Sequence, residues 1–299
     1  MKEAYISKAF RPETEELIQR ASSIIEDYED QGFSLTLRQL YYQFVARGII
    51  ENSERSYKRL GSIITDARMA GLISWTAIED RGRGVSSWLV EEDEQEVFKG
   101  IEYSFALDFW ERQNVYVEAW VEKEALKGVL QRPCERWRVP YMACKGYLSA
   151  SEAWRSGLRY RTASRDRAKV VLIHLGDHDP SGIDMTRDNQ ERVDQFSWAE
   201  VEIRRIALNM NQIEEYRPPP NPAKLTDSRA SDYVNRFGYQ SWELDALEPS
   251  LIDRLVDKEI RSLVDPDVWA QTQDEEAQRR EVLRDVYDRW DDIAEFLAA

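Results

Sequence analysis

At 299 residues, with 42% hydrophobic residues and a net charge of −15, the chain is long enough for two modest domains, and its charge argues against a protein that coats nucleic acid with its whole surface. No apolar run is long enough to span a bilayer, the opening Met1-Lys-Glu-Ala-Tyr-Ile-Ser-Lys8 has no signal-peptide core, and Cys134 and Cys144 make neither a disulfide framework nor a metal spacing, so a reduced cytoplasm is the expected setting. The charge is uneven: residues 34–90 carry eight Lys/Arg against five Asp/Glu and residues 243–299 seven against seventeen, which leaves room for a basic face near the front.

Residues 13–28 place Leu17, Ala21, Ile24 and Tyr28 at helical spacing, and Gln31-Gly32 ends that helix. Thr36-Leu-Arg-Gln39 is a capping box that opens a second helix. Leu37, Leu40, Tyr41 and Phe44 form its apolar stripe, whereas Tyr42 falls on the opposite side with Arg38 on the same flank. Tyr42 is thus offered either to solvent or a ligand, where a guanidinium could bind phosphate or favour the phenolate, or to a neighbouring domain as a packing residue. Residues 54–71 predict a third helix with Leu60, Ile63, Ile64 and Ala67 inward and Arg55, Lys58, Arg59 and Arg68 supplying positive charge. A short strand over 72–78 and a basic Gly-rich turn, Asp80-Arg81-Gly82-Arg83-Gly84, complete the pattern of a winged helix; a solvated charged face is the alternative. Residues 88–110 predict a helical linker whose Phe98, Ile101, Phe105 and Phe109 pack on a domain or a second subunit. The expected organisation is an N-terminal helix over 1–33, a front domain over 34–90, a linker over 91–113 and a larger domain over 114–299.

From residue 114 strands and helices alternate: strands over 115–121, 139–143, 170–175 and 201–208, with helices from 125, over 149–161 and over 183–196. This is an α/β pattern, a mostly parallel sheet flanked by helices. The third strand runs into Gly176-Asp177-His178-Asp179-Pro180-Ser181-Gly182, which places Asp177 and Asp179 at a carboxyl strand end, where open α/β sheets bind ligands. Alternation sends both carboxylates to one side, as a Mg²⁺ site or as a solvated acidic turn. A second strand end carries Glu122-Lys123-Glu124. His174 is expected inside the strand and His178 between the acids, facing the other way. Residues 209–232 predict an irregular loop stiffened by Pro218-Pro-Pro-Asn-Pro222, with Lys224 and Arg229 as nucleic-acid contacts or solvated side chains. Trp242–Leu247 returns to order with Asp245 as an extra acid, and residues 251–264 and 281–297 predict acidic amphipathic helices that are structural or dimer-forming.

Glu122 after the first strand, Lys145-Gly146-Tyr147 after the second and Asp-x-Asp-Pro-x-Gly after the third resemble a Toprim domain. Val121-Glu-Lys-Glu-Ala125 and Thr36-Leu-Arg-Gln-Leu-Tyr-Tyr42 resemble the topoisomerase VI A subunit and meiotic double-strand-break protein family, and the compact front resembles its stand-alone Mini-A members. The resemblance implies a winged helix followed by a Toprim domain. It implies Mg²⁺ held by Glu122, Asp177 and Asp179, with Glu122 also catalytic. It puts the nucleophile on Tyr42, or on Tyr41 if the register slips by one, and the partner cation on Arg38. Double-stranded DNA would meet Arg55, Lys58, Arg59, Arg68, Arg81, Arg83 and Lys145. The implied product is a 5′-phosphotyrosyl end, made by a homodimer in which one subunit's tyrosine works with the other's metal. No Gly-rich nucleotide loop is present, so strand passage would need a separate B-type ATPase subunit. A hydrolytic Toprim nuclease acting on foreign DNA and a non-catalytic DNA-binding subunit are the other two readings.

Overall fold

The front of the chain forms α1 (Pro12–Glu29), α2 (Leu37–Ala46) and α3 (Glu54–Met69), in a computed structural model that describes residues 2–78 and 93–298. The capping box at α2 forms: Thr36 Oγ1 accepts from the Gln39 N–H, and Gln39 Oε1 accepts from the Thr36 N–H. Ile18, Ala21, Ile24 and Tyr28 of α1 close one core with Leu40 and Phe44 of α2 and Leu60, Ile64 and Ala67 of α3. Residues 72–78 do not form the expected strand; they turn, and Ile78 makes a single parallel bridge to Leu35. Local bonds outcompete a ladder there. Ser74 Oγ accepts from the Thr76 N–H, and Arg68 donates to the Trp75 carbonyl (2.7 Å) while stacking on its ring. Arg81 and Arg83 lie outside the described residues.

The linker helix α4 (Glu94–Ser104) is shorter than predicted. Past it the backbone is captured by side chains of a distant helix: Arg280 donates to the Phe105 carbonyl (3.0 Å) and the Leu107 N–H donates to Glu276 (2.8 Å). The sheet follows as β1 (Val115–Val121), α5 (Lys127–Arg136), β2 (Tyr141–Ala143), α6 (Ala150–Asp166), β3 (Lys169–Leu175), α7 (Pro180–Ser197) and β4 (Glu202–Ala207). Then come α8 (Met210–Tyr216), the short strands β5 (Asn221–Pro222) and β6 (Gln240–Ser241) on either side of α9 (Ala230–Phe237), and α10 (Pro249–Arg261), α11 (Pro266–Asp288) and α12 (Trp290–Ala298). Residues 210–216 were expected to be irregular. They are helical because Gln212 Oε1 accepts from the Asn209 N–H (3.0 Å), capping the turn, and Ile213 buries itself beneath it. The aromatic side of the linker packs on the C-terminal helices, with the Phe98 and Trp290 rings 4.5 Å apart and Phe109 and Trp269 4.6 Å apart.

The four long strands are parallel in the order β2-β1-β3-β4. Alternation sorts their side chains: Val115, Val117, Ala119 and Val121 with Val171, Ile173 and Leu175 meet α5 and α10, while Trp120, Val170 and Leu172 meet α6 and α7. The chain runs outward from β1 to β2 and then returns across β1 to β3, so β1 and β3 form the switch point at which a crevice opens at the carboxyl ends. Val121 and Leu175 are partners in register, so both acid-bearing strands end at the same level. Among the described residues no helix is long and apolar enough to cross a membrane.

Candidate functional site

Past the strand ends, backbone groups fix the acids. Glu122 donates its N–H to the Leu175 carbonyl (2.9 Å), and its Oε2 accepts from the Asp177 N–H (2.9 Å). Asp177 Oδ1 accepts from the Leu244 N–H (2.8 Å). Asp179 caps α7, its Oδ1 accepting from the Gly182 N–H (2.6 Å) and from Ser181 Oγ (2.9 Å). The loop closes so tightly that a Cβ on Gly182 would lie 2.3 Å from the Asp177 carbonyl oxygen. Arg205 locks it from below, donating to the carbonyls of Gly176 (2.9 Å), Asp177 (2.6 Å) and Gly182 (3.0 Å). Burial lowers that guanidinium to about 10 against the pull of Glu122, Asp177 and Asp179.

One lysine neutralises much of this charge. Lys123 Nζ lies 2.7 Å from Asp177 Oδ2, 2.9 Å from Glu243 Oε2 and 3.1 Å from Asp245 Oδ2. Burial works against the ammonium, but the three carboxylates outweigh it and raise its pKa. Burial pushes the Asp177 carboxyl up to about 7, with Lys123 opposing and Glu122 adding to the rise. Glu122 is also raised, first by burial and further by the charge of Asp179, against the Asp177 N–H and Lys123. The three predicted metal ligands are therefore neighbours but not an equivalent triad, since Asp177 is engaged by Lys123 and a backbone amide. Among the described residues no three or more His, Cys, Asp or Glu side chains are arranged to hold a metal. The chemistry of the donors still suits Mg²⁺, which binds through one or two carboxylates and completes its shell with water and phosphate. Glu122 and Asp179 are such a pair, each with one oxygen committed to a backbone amide and the two in mutual repulsion.

Tyr42 is not presented to solvent, one of the placements that the helical stripe allowed; it is 3% exposed. Both sides of α2 are covered, because the 3₁₀ turn Leu244–Ala246 and the strand β5 pack where water was expected. The packing alternative is thus the observed one. The phenol accepts from Asn221 Nδ2 (3.3 Å), and Asn221 also reaches Glu243 Oε1 (3.4 Å). Arg38 stands 5.9 Å from the Tyr42 ring and is paired with Glu243, through its Nε (3.1 Å) and a short Nη2 contact. Burial and then the Glu243 charge push the phenol up to about 12, against Asn221 and Arg38. Burial would raise Glu243, but Lys123 and Arg38 outweigh it and hold the carboxyl down near 2. Arg38, Tyr42, Asn52, Asn221, Lys224 and Glu243 line a cleft of about 490 Å³. Tyr41 borders it too, but its hydroxyl donates to Asn52 (2.8 Å).

The remaining predicted residues divide. Arg55, Lys58 and Arg59 are exposed on α3, Lys58 paired with Glu54. Arg68 is not presented to a ligand, being consumed by Trp75. Lys145 is exposed in a left-handed turn (φ 58°) beside Glu124. Arg229 is held by Asp184 (2.6 Å) rather than left to a loop. Asp245 is 1% exposed, and its Oδ1 has no hydrogen-bond partner among the described residues. His174 is buried in β3 against Thr186 (2.9 Å), and His178 turns away from the acids to Tyr233 (2.8 Å). Glu243, Asn221 and Arg205 were not foreseen, and Lys123 only as a letter in the motif. No local pattern marks the first three, since their partners are remote in sequence. No family model and no curated protein matches this chain.

Proposed function

We propose that this chain is a DNA-breaking enzyme of the topoisomerase VI A-subunit and meiotic double-strand-break type, with the front helices as a winged-helix-like domain and the parallel-sheet domain as a Toprim domain. The observation that carries the reading is the cleft that brings Tyr42 and Arg38 to the strand-end acids through Glu243 and Lys123. A phenol, a guanidinium and carboxylates suited to a divalent cation make a phosphodiester-transfer set. Tyr42 would attack a DNA phosphate and keep it as a 5′-phosphotyrosyl ester, and Arg38 would bind the charge that builds on the phosphate. Mg²⁺ held by Glu122 and Asp179 would neutralise phosphate oxygens when bound. The exposed cations Arg55, Lys58 and Arg59 of α3, and Lys145 of the sheet domain, would contact the duplex backbone. The same reading carries a homodimer, and a separate B-type ATPase subunit for strand passage.

Purified protein incubated with supercoiled plasmid and Mg²⁺, stopped with denaturant and run with and without protease, tests this beside Tyr42→Phe and Asp177→Ala. Nicked or linear DNA that enters the gel only after protease, and that disappears in both variants, is the expected result. Cleavage that persists in Tyr42→Phe but not in Asp177→Ala would replace the reading with a hydrolytic nuclease. One observation favours that second reading: the phenol is buried and its proton is held tightly.

A further inference from the structure

Glu243 is the crossing point of the cleft. Its Oε2 takes both cations, Lys123 from the end of β1 (2.9 Å) and Arg38 from α2 (Nε at 3.1 Å). Its Oε1 lies on the other side, 3.4 Å from Asn221 Nδ2, and the same amide donates to the Tyr42 phenol (3.3 Å), so Asn221 spans the carboxylate and the phenol and the Glu243 charge acts on that hydroxyl. Asp245, on the same turn, adds a second negative charge against Lys123 and Arg38. So a carboxylate beside the phenol also occupies two groups well suited to a phosphate. In this arrangement proton transfer from a phenol near 12 to a carboxylate near 2 is steeply uphill.

We propose that Glu243 accepts the proton of Tyr42, and that the scissile phosphate releases it to do so by drawing Arg38 and Lys123 onto itself. The inference rests on the tyrosine reading above. A phosphodiester offers two non-bridging oxygens that match the fork of a guanidinium and the point charge of an ammonium. Once the cations shift, Glu243 loses the partners that make it a weak base, and the phenol faces a guanidinium no longer neutralised by that carboxylate. In the step itself the Tyr42 proton moves to Glu243 Oε1 and the phenol oxygen bonds to phosphorus. The P–O3′ bond breaks with its electron pair on the 3′-oxygen, which takes a proton from water. Resealing runs the same steps backwards, with Glu243 returning the proton. The arrangement is a substrate-gated base: without a phosphate the nucleophile stays a neutral phenol.

The test measures covalent protein–DNA adduct formation, from pH 6 to 9, on a duplex whose scissile 3′-bridging oxygen is replaced by sulfur, a leaving group that needs no proton. Duplex affinity and thermal midpoint are measured beside it in the wild type, Tyr42→Phe, Glu243→Gln and Glu243→Asp. The expected result is a Glu243→Gln protein that binds the duplex at least as tightly but forms adduct on the order of 100-fold more slowly, its rate rising about tenfold per pH unit, with Glu243→Asp partly restored. Adduct formed by Glu243→Gln as fast as by the wild type or faster would overturn the proposal and leave Glu243 as a clamp on the cations. Affinity, rate and thermal midpoint falling together would overturn it in favour of a structural role. A wild type that makes no Tyr42-dependent adduct would overturn the tyrosine reading, and this proposal with it.

Discussion

The strand-end loop and the tyrosine cleft are built from opposite materials. In the loop each acid is held by main-chain amides: Glu122 by that of Asp177, Asp177 by that of Leu244 and Asp179 by that of Gly182, with Arg205 tying the carbonyls beneath. In the cleft the ion pairs are between side chains, and those of Lys123 and Arg38 meet on Glu243. Main-chain bonds within a closed loop are not exchanged when a ligand arrives, whereas ion pairs at the edge of a cleft exchange readily for another anion. The first region is a fixed platform, and the second can be rearranged by what binds it.

The sharpest way to break this contrast is to remove the cation shared by both regions. Lys123→Met leaves Asp177 and Asp245 buried without their ammonium and is expected to cost about 4 kcal/mol in urea unfolding, most of it recovered when Asp177→Asn is added. A loss under 1 kcal/mol would show that the acids relax freely, against a fixed platform. Next is Gly182→Ala. Its methyl would sit 2.3 Å from a main-chain oxygen that Arg205 also holds, so a loss of about 3 kcal/mol in the same assay is expected.

A smaller effect comes from pH. Burial and then Arg205 hold the His174 imidazole down at about 3, below its unfolded value of 6.5, so the folded state binds fewer protons. The stability this confers is complete above pH 6.5 and drains away as pH falls toward 3, by at most about 1.4 kcal/mol per pH unit. His174→Gln is expected to remove that part of the slope between pH 6 and 4.5 in urea midpoints; an unchanged slope would mean that the imidazole is not kept neutral.

The smallest stability changes belong to α3. Arg55→Ala and Arg59→Ala are expected to leave stability within about 0.5 kcal/mol and to lower the salt dependence of duplex binding by about one counterion each. Arg68→Ala should do the reverse, costing about 1 kcal/mol through the lost Trp75 contacts while leaving the salt slope intact.

What was legible in the sequence divides along the same line. The parallel sheet, the strand ends and the position of Asp177 and Asp179 follow from local signals: β-branched runs, a Gly that ends a strand, a Pro that begins a helix. The competition at Ser74 and Thr76 was local too, but a hydroxyl turn and a strand start share the same residues there. The choice between the two placements of Tyr42 stayed open for another reason. Helical periodicity reports the face turned to a helix's own core, and nothing in residues 37–46 records that residues 221 and 243–246 arrive on the other face. Glu243 and Asn221 were invisible for the same reason, as was Arg205, a buried guanidinium in a strand otherwise unremarked.

The Arg38–Glu243 pair joins positions 205 residues apart, and Ala246 closes the core of the first three helices. During synthesis those helices leave the ribosome long before the segment that covers α2 has been made. Until residue 246 emerges, Tyr42, Gln43 and Arg38 face water, and the front of the molecule is an open three-helix layer. The tyrosine cleft therefore closes only when residues 243–246 arrive, and the same segment brings the Leu244 N–H that holds Asp177. A nascent chain stalled before residue 240 would hold Tyr42 and Arg38 without the carboxylate that pairs with the guanidinium, so the order of translation decides when the tyrosine is covered.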